Sequence, residues 1–338
     1  MLQSSIFEPG TTTKSTTTGS SSSSTTTTSS SSSRHEDILK ELQHDLSLAA
    51  AAAGAVQVKG DFVLKSKTPR HVQFWDTPGK CHLRNNGWTL RMRRSLGSEK
   101  EELPWEGTLK SRSGDRYHTS YRRKHMNECH SDFKQGHSKL EEDIPHFDWT
   151  GNMFSFSQKC DIPAPEHPLR SLQHVIDVWY EMETNIVDLE WDLEAKLHLV
   201  SNLTMIEVVY EDFWIDFDTG DDDEMAEVKV TLWYHDSEDL YNSNHHSNQS
   251  TSGDEDNSRL ILMESLKQQP PVLAEMSYTI QSKKEKWSET TIMRAHSLWD
   301  QCSNLDRWLD PKSSTKTAWM YRYDAAFCDA KNVEGESA

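Results

Sequence analysis

The chain has 338 residues, 34% of them apolar, and a formal net charge of −18 at pH 7. That balance argues against a general nucleic-acid binder, because neutralising phosphates needs a surplus of Lys and Arg over the binding face; a local basic pocket remains compatible with it. No apolar run reaches the roughly 18 residues of a membrane-spanning helix, and the start lacks a basic segment followed by an apolar one, so the expectation is a cytoplasmic protein with neither nucleic acid nor membrane as partner.

Residues 1–34 are almost wholly Ser, Thr and Gly and are expected to be a disordered tail, having nothing to bury against the entropy of ordering. From His35 the spacing of Ile38, Leu39, Leu42, Leu46 and Leu48 predicts a helix running through an alanine stretch to Gly54. A short strand, Ala55 to Lys59, follows. The stretch Val72–Arg94 then reads as strand, turn, strand, with Asp76-Thr77-Pro78-Gly79 and Asn85-Asn86-Gly87 as turn signals. Asp76 and Thr77 suit a turn, since their side chains bond nearby backbone.

Further alternating strands are predicted at Trp105–Lys110, Lys139–Ile144, Asn152–Cys160, Met205–Tyr210, Phe213–Asp218 and Ala226–Tyr234. Amphipathic helices are predicted from Arg170, over Arg259–Lys267 and over Trp287–Trp308. Residues 235–258, rich in Ser, Asn, His and Asp, read as a disordered polar insertion, and His245-His246 within it as polar filler.

The cysteines, Cys81, Cys129, Cys160, Cys302 and Cys328, are odd in number and contain no Cys-x-x-Cys pair, so free thiols in a reducing compartment are the simplest reading. Asn202-Leu203-Thr204 and Asn248-Gln249-Ser250 fit the glycosylation pattern but decide nothing without an export signal.

Eight or more short alternating strands with few helices predict an α+β protein: an antiparallel closed or nearly closed β-barrel, a tunnel, with flanking helices. Its barrel would span residues 35–234, with 259–325 a helical part packed on it and 326–338 a tail. Alternation then gives one face to each of the sets Gln57 and Lys59; Arg91 and Arg93; Lys110 and Arg112; Lys139, Glu141 and Asp143; Ser155, Ser157 and Lys159; Asp216 and Asp218; Glu227 and Lys229. Desolvating so many charges is costly unless they pair or bind something. Cations suit phosphate oxygens, and carboxylates suit a hard divalent ion.

The block FWDTPGKCHLRNNGWTLRMRR resembles the signature of the CYTH family, the triphosphate tunnel metalloenzymes: an aromatic pair, Asp-Thr, a variable loop, then Gly-aromatic-x-Leu-Arg-x-Arg. WEGTLK, KLEEDI and EVKV follow in the family's order. The resemblance implies a tunnel binding a triphosphate, a polyphosphate or a similar anion, with Lys59, Arg91, Arg93, Lys110 and Lys139 as phosphate-binding cations. It implies Glu141, Asp143 and Glu227 as ligands of Mg or Mn. The family's opening Glu-x-Glu-x-Lys stands here as Ala55-x-Gln57-x-Lys59, and Lys229 replaces an acid beside Glu227. Fewer carboxylates weaken a divalent site, so the expectation is an anion-binding tunnel without turnover. The alternatives are a metal-dependent triphosphate phosphohydrolase with a rearranged site and a barrel whose charges pair internally.

Overall fold

The computed structural model describes residues 31–65, 69–96, 104–115, 129–143, 153–162, 169–179, 192–217, 224–236, 255–282, 288–305, 307–308 and 315–329. The expectations for the Ser/Thr tail over 1–30, for Asp218, and for most of the 235–258 insertion with its His245-His246 pair lie outside the described residues. In chain order the elements are α1 (Ser31–Ala52), β1 (Gln57–Lys59), β2 (Val63–Leu64), β3 (Arg70–Asp76), α2 (His82–Asn85), β4 (Trp88–Ser95), β5 (Trp105–Ser113) and β6 (Lys134–Asp143). They continue with β7 (Met153–Ile162), α3 (Leu172–Val178), β8 (His198–Leu199), β9 (Met205–Asp216), β10 (Glu224–His235), α4 (Glu255–Lys267), β11 (Leu273–Ser282), α5 (Glu289–Ser303) and α6 (Lys316–Tyr323).

These elements divide between two compact units. Unit 1 takes the described residues up to Pro69 and those within Glu207–Ser313; unit 2 takes those within Arg70–Ile206 and from Ser314 onward.

In unit 1, β10 lies between β9 and β11, while β1 and β2 both pair with β9. The two strands expected over 205–218 form one strand, β9, which continues through Asp212 despite its positive φ of 73°. Gly60 fits against this residue because a Cβ there would stand 2.1 Å from the Asp212 carbonyl oxygen. Alternation along β9 and β10 buries Phe213, Ile215, Val228, Val230 and Leu232. α1 packs on α4 and α5 with Leu42, Leu46 and Ala50 buried. Ser288 caps α5 by accepting from the Thr291 N–H, and its own N–H and hydroxyl donate to the Glu224 carboxylate.

In unit 2 the ladder runs β8-β3-β4-β5-β7-β6. One face carries Trp88, Leu90, Met92, Leu109, Phe156, Cys160 and Ile162, and α3 covers it with Leu172, Val175 and Ile176. Trp179, which follows α3, lies so close to β5 that a Cβ on Gly107 would stand 3.0 Å from its ring and 2.7 Å from Ile162 Cδ1. The polar link between β3 and β4 is tied to the end of the chain. Asp76 Oδ1 accepts the N–H groups of Thr77 (2.8 Å) and Leu83 (3.0 Å), and Oδ2 accepts the Arg84 N–H (3.0 Å) and the Tyr321 hydroxyl (2.7 Å).

Four expectations change. A closed barrel is not what forms: every ladder is antiparallel, but among the described residues β6 of unit 2 pairs with β7 alone and β11 of unit 1 with β10 alone. The period-2 pattern that suggested closure reports only a two-faced strand, which an open sheet satisfies equally. The cysteines are not all free thiols: Cys81 bonds to Cys328 and Cys129 to Cys160, leaving Cys302 buried and free. Pairing was invisible because the partners are 247 and 31 residues apart in sequence. The part expected to be helical over 259–325 contains β11. Finally, the 82–85 link is a turn of helix. Among the described residues no helix is long and apolar enough to cross a membrane.

Candidate anion-binding face

The second face of the unit 2 sheet is polar from β4 to β6, bordered on β3 by the buried Val72 and Phe74 opposite Arg93 and Arg91, and the strand register shows how it is assembled. Residues directly opposite in neighbouring strands share a face. Arg93 stands opposite Glu106, which stands opposite Asp161. One row on, Arg91 faces Thr108 and Thr108 faces Lys159. The next row holds Thr89, Lys110, Ser157 and Lys139, and the last Arg112, Ser155 and Glu141. A bulge between Gln135 and Ser138 in β6 keeps Lys139 and Glu141 in phase with this face.

Two carboxylates organise the charges. Glu106 Oε2 is 3.1 Å from Lys159 Nζ, and its Oε1 is 3.9 Å from the Arg93 guanidinium. Burial alone would raise the Glu106 pKa, but Lys159, Arg93 and Arg91 outweigh it and hold the carboxyl below its usual range. Burial also lowers the Lys159 pKa; Glu106 opposes this, and the nearby Arg93 and Arg91 reinforce it. The lysine therefore loses more from desolvation and like charge than its single carboxylate returns.

Glu141 Oε1 lies 2.6 Å from Lys139 Nζ and Oε2 3.3 Å from Lys110 Nζ. Burial opposes ionisation here too, yet Lys110 and Lys139 together bring its pKa down to about 2. Beneath these long side chains, Thr108 and Ser155 are buried at 2% and 0% exposure, and neither Thr108 Oγ1 nor Ser155 Oγ has a hydrogen-bond partner.

Of the residues proposed from sequence, the register brings Arg91, Arg93, Lys110, Lys139 and Glu141 onto this one face. Asp143 ends β6, and its side chain lies outside the described residues. Lys59 and Glu227 belong to unit 1. There Lys59 pairs with Asp216 at 3.1 Å and Glu227 with Lys229 at 2.9 Å, while Lys229 also meets Glu211 at 3.1 Å. Glu106 and Thr108 were missed as site residues although they alternate with Lys110 in WEGTLK. The alternation was the available signal; the register that sets them beside Arg91 and Lys159 was not.

A divalent ion fits the described carboxylates poorly. Both Glu141 oxygens are engaged by lysines, Glu227 is held by Lys229, and no group of three His, Cys, Asp or Glu able to hold a metal occurs among the described residues.

The chain matches no protein-family model, no curated protein and no solved structure. None of the comparisons supports the CYTH resemblance of residues 74–94 and of the WEGTLK, KLEEDI and EVKV segments.

Proposed function

We propose that the polar face of unit 2 binds a multivalent phosphate-type anion, such as a triphosphate or polyphosphate, without turning it over. The observation that carries this reading is the gathering of cationic side chains on one face of an acidic protein. Arg91, Arg93, Lys110, Arg112, Lys134, Lys139 and Lys159 stand there against Glu106, Glu141 and Asp161 among the described side chains. Arginine supplies a planar fork suited to two phosphate oxygens, and lysine a compact charge. Partial burial strengthens both relative to open solvent.

Calorimetric titration with tripolyphosphate is the direct test. Saturable binding that weakens at least tenfold in Arg91→Ala and in Lys110→Ala is expected, with no phosphate released. Absence of heat from both tripolyphosphate and longer polyphosphate overturns the reading.

A further inference from the structure

The disulfides bear on a surface feature that the anion-binding reading leaves unused. Between β8 and β9 the chain makes a tight turn, Val200–Asn202, in which Ser201 and Asn202 both take positive φ, 57° and 49°. Ser201 is buried and its hydroxyl donates to the Met320 carbonyl at 2.7 Å, whereas Asn202 is exposed. Asparagine tolerates this backbone region better than most residues, which accounts for its place in the turn. The residues that follow give it a second use. Asn202-Leu203-Thr204 is the acceptor pattern for an N-linked glycan, a bulky polar group that needs an outward-facing side chain.

What the pattern lacked in the sequence was a compartment, and the cysteine pairing supplies one. Cys81 with Cys328 and Cys129 with Cys160 are bonded within unit 2, the unit that also holds Asn202. Each pair forms when two thiols pass two electrons and two protons to another disulfide, which is itself reduced to two thiols. Such bonds persist in oxidising, exported environments and are rare where glutathione keeps thiols reduced. The fifth cysteine suits the same setting. An accessible thiolate would attack the two disulfides, but Cys302 is buried.

We infer that the chain folds in an oxidising secretory compartment and carries an N-linked glycan on Asn202. The donor is an oligosaccharide linked to a polyprenyl diphosphate. The Asn202 side-chain nitrogen bonds to the anomeric carbon of the first sugar, and the bond from that carbon to the diphosphate oxygen breaks. The amide gives up one proton to the medium as the lipid diphosphate leaves. In the folded chain Thr204 Oγ1 also accepts from Gln73 Nε2 at 3.0 Å, so variants must separate this contact from the acceptor role of the hydroxyl.

The test starts with the native protein from its own cells. Peptide N-glycosidase in heavy-oxygen water cuts the glycan from the asparagine and leaves a carboxylate that retains one heavy oxygen. Mass spectrometry should find that label at Asn202, with the Cys81–Cys328 and Cys129–Cys160 peptides linked before reduction. Unlabelled Asn202, or these four cysteines open to alkylation without a reductant, overturns the inference. Variants of the full chain passed through a eukaryotic secretory host then check the residue. Asn202→Gln and Thr204→Ala should migrate faster than the native sequence on a gel, whereas Thr204→Ser and Gln73→Ala should keep its mobility. Unchanged mobility in Asn202→Gln overturns the assignment. The inference is independent of anion binding by the polar face, so its failure leaves that reading in place.

Discussion

Glu141 places the electrostatics of the polar face within reach of a pH measurement. Its folded pKa, about 2, lies below the ordinary value of 4.5. A carboxyl depressed in this way contributes stability that is fully present above pH 4.5 and is lost as pH falls toward 2. Thermal melts between pH 5 and pH 2 should fall more steeply for the native chain than for Glu141→Gln, which removes this titration. Equal slopes would mean that Lys110 and Lys139 do not hold the carboxylate as described. Gly107 makes a different demand. With Ile162 Cδ1 2.7 Å and the Trp179 ring 3.0 Å from where a Cβ would stand, Gly107→Ala should overpack the interface and cost about 1–3 kcal/mol in chemical denaturation. Tyr321 donates to the buried Asp76 carboxylate at 2.7 Å, and Tyr321→Phe should cost about 1.5 kcal/mol because the acceptor is charged and out of water.

Among the elements, the end of the chain is held to the β3–β4 link by more than one kind of bond. Cys328 is joined to Cys81, the Gly79 N–H donates to the Phe327 carbonyl at 2.7 Å, and the Arg84 guanidinium lies 4.8 Å from the Tyr321 ring centre. Cys328→Ser should lower stability by about 2–5 kcal/mol, and limited proteolysis should then cut within 315–329 first. The strands of this region were legible in the sequence: alternation located β3, β4, β5 and β7 to within a few residues and assigned Arg91, Arg93 and Lys110 to one side. The joins between strands were not. Hydrogen-bonded register depends on which strands meet across tens of residues, so nothing local in WEGTLK revealed that Thr108 would face both Arg91 and Lys159. Closure was illegible for the same reason. Residues 273–282 escaped notice as a strand because LAEMSYTIQS places Ala and Ser where a branched or aromatic residue would mark one.

Across the whole molecule, covalent constraint is distributed unevenly. Both disulfides lie in unit 2, whereas unit 1 holds the single free cysteine. Reduction should therefore raise hydrogen exchange within 70–206 and 314–329 and leave the described parts of 207–313 little changed; uniform acceleration would contradict this division. The cationic face also means that added salt should weaken anion binding, since screening reduces a local attraction between opposite charges. Cys302 has a use of its own. It is 1% exposed, and burial pushes its thiol up to about 12, so a thiol reagent at neutral pH cannot react with it until α5 moves away from its neighbours. With the other four cysteines already bonded, the chain carries a built-in clock: the rate at which this one sulfur becomes labelled under oxidising conditions reports how often unit 1 opens, with no engineered probe.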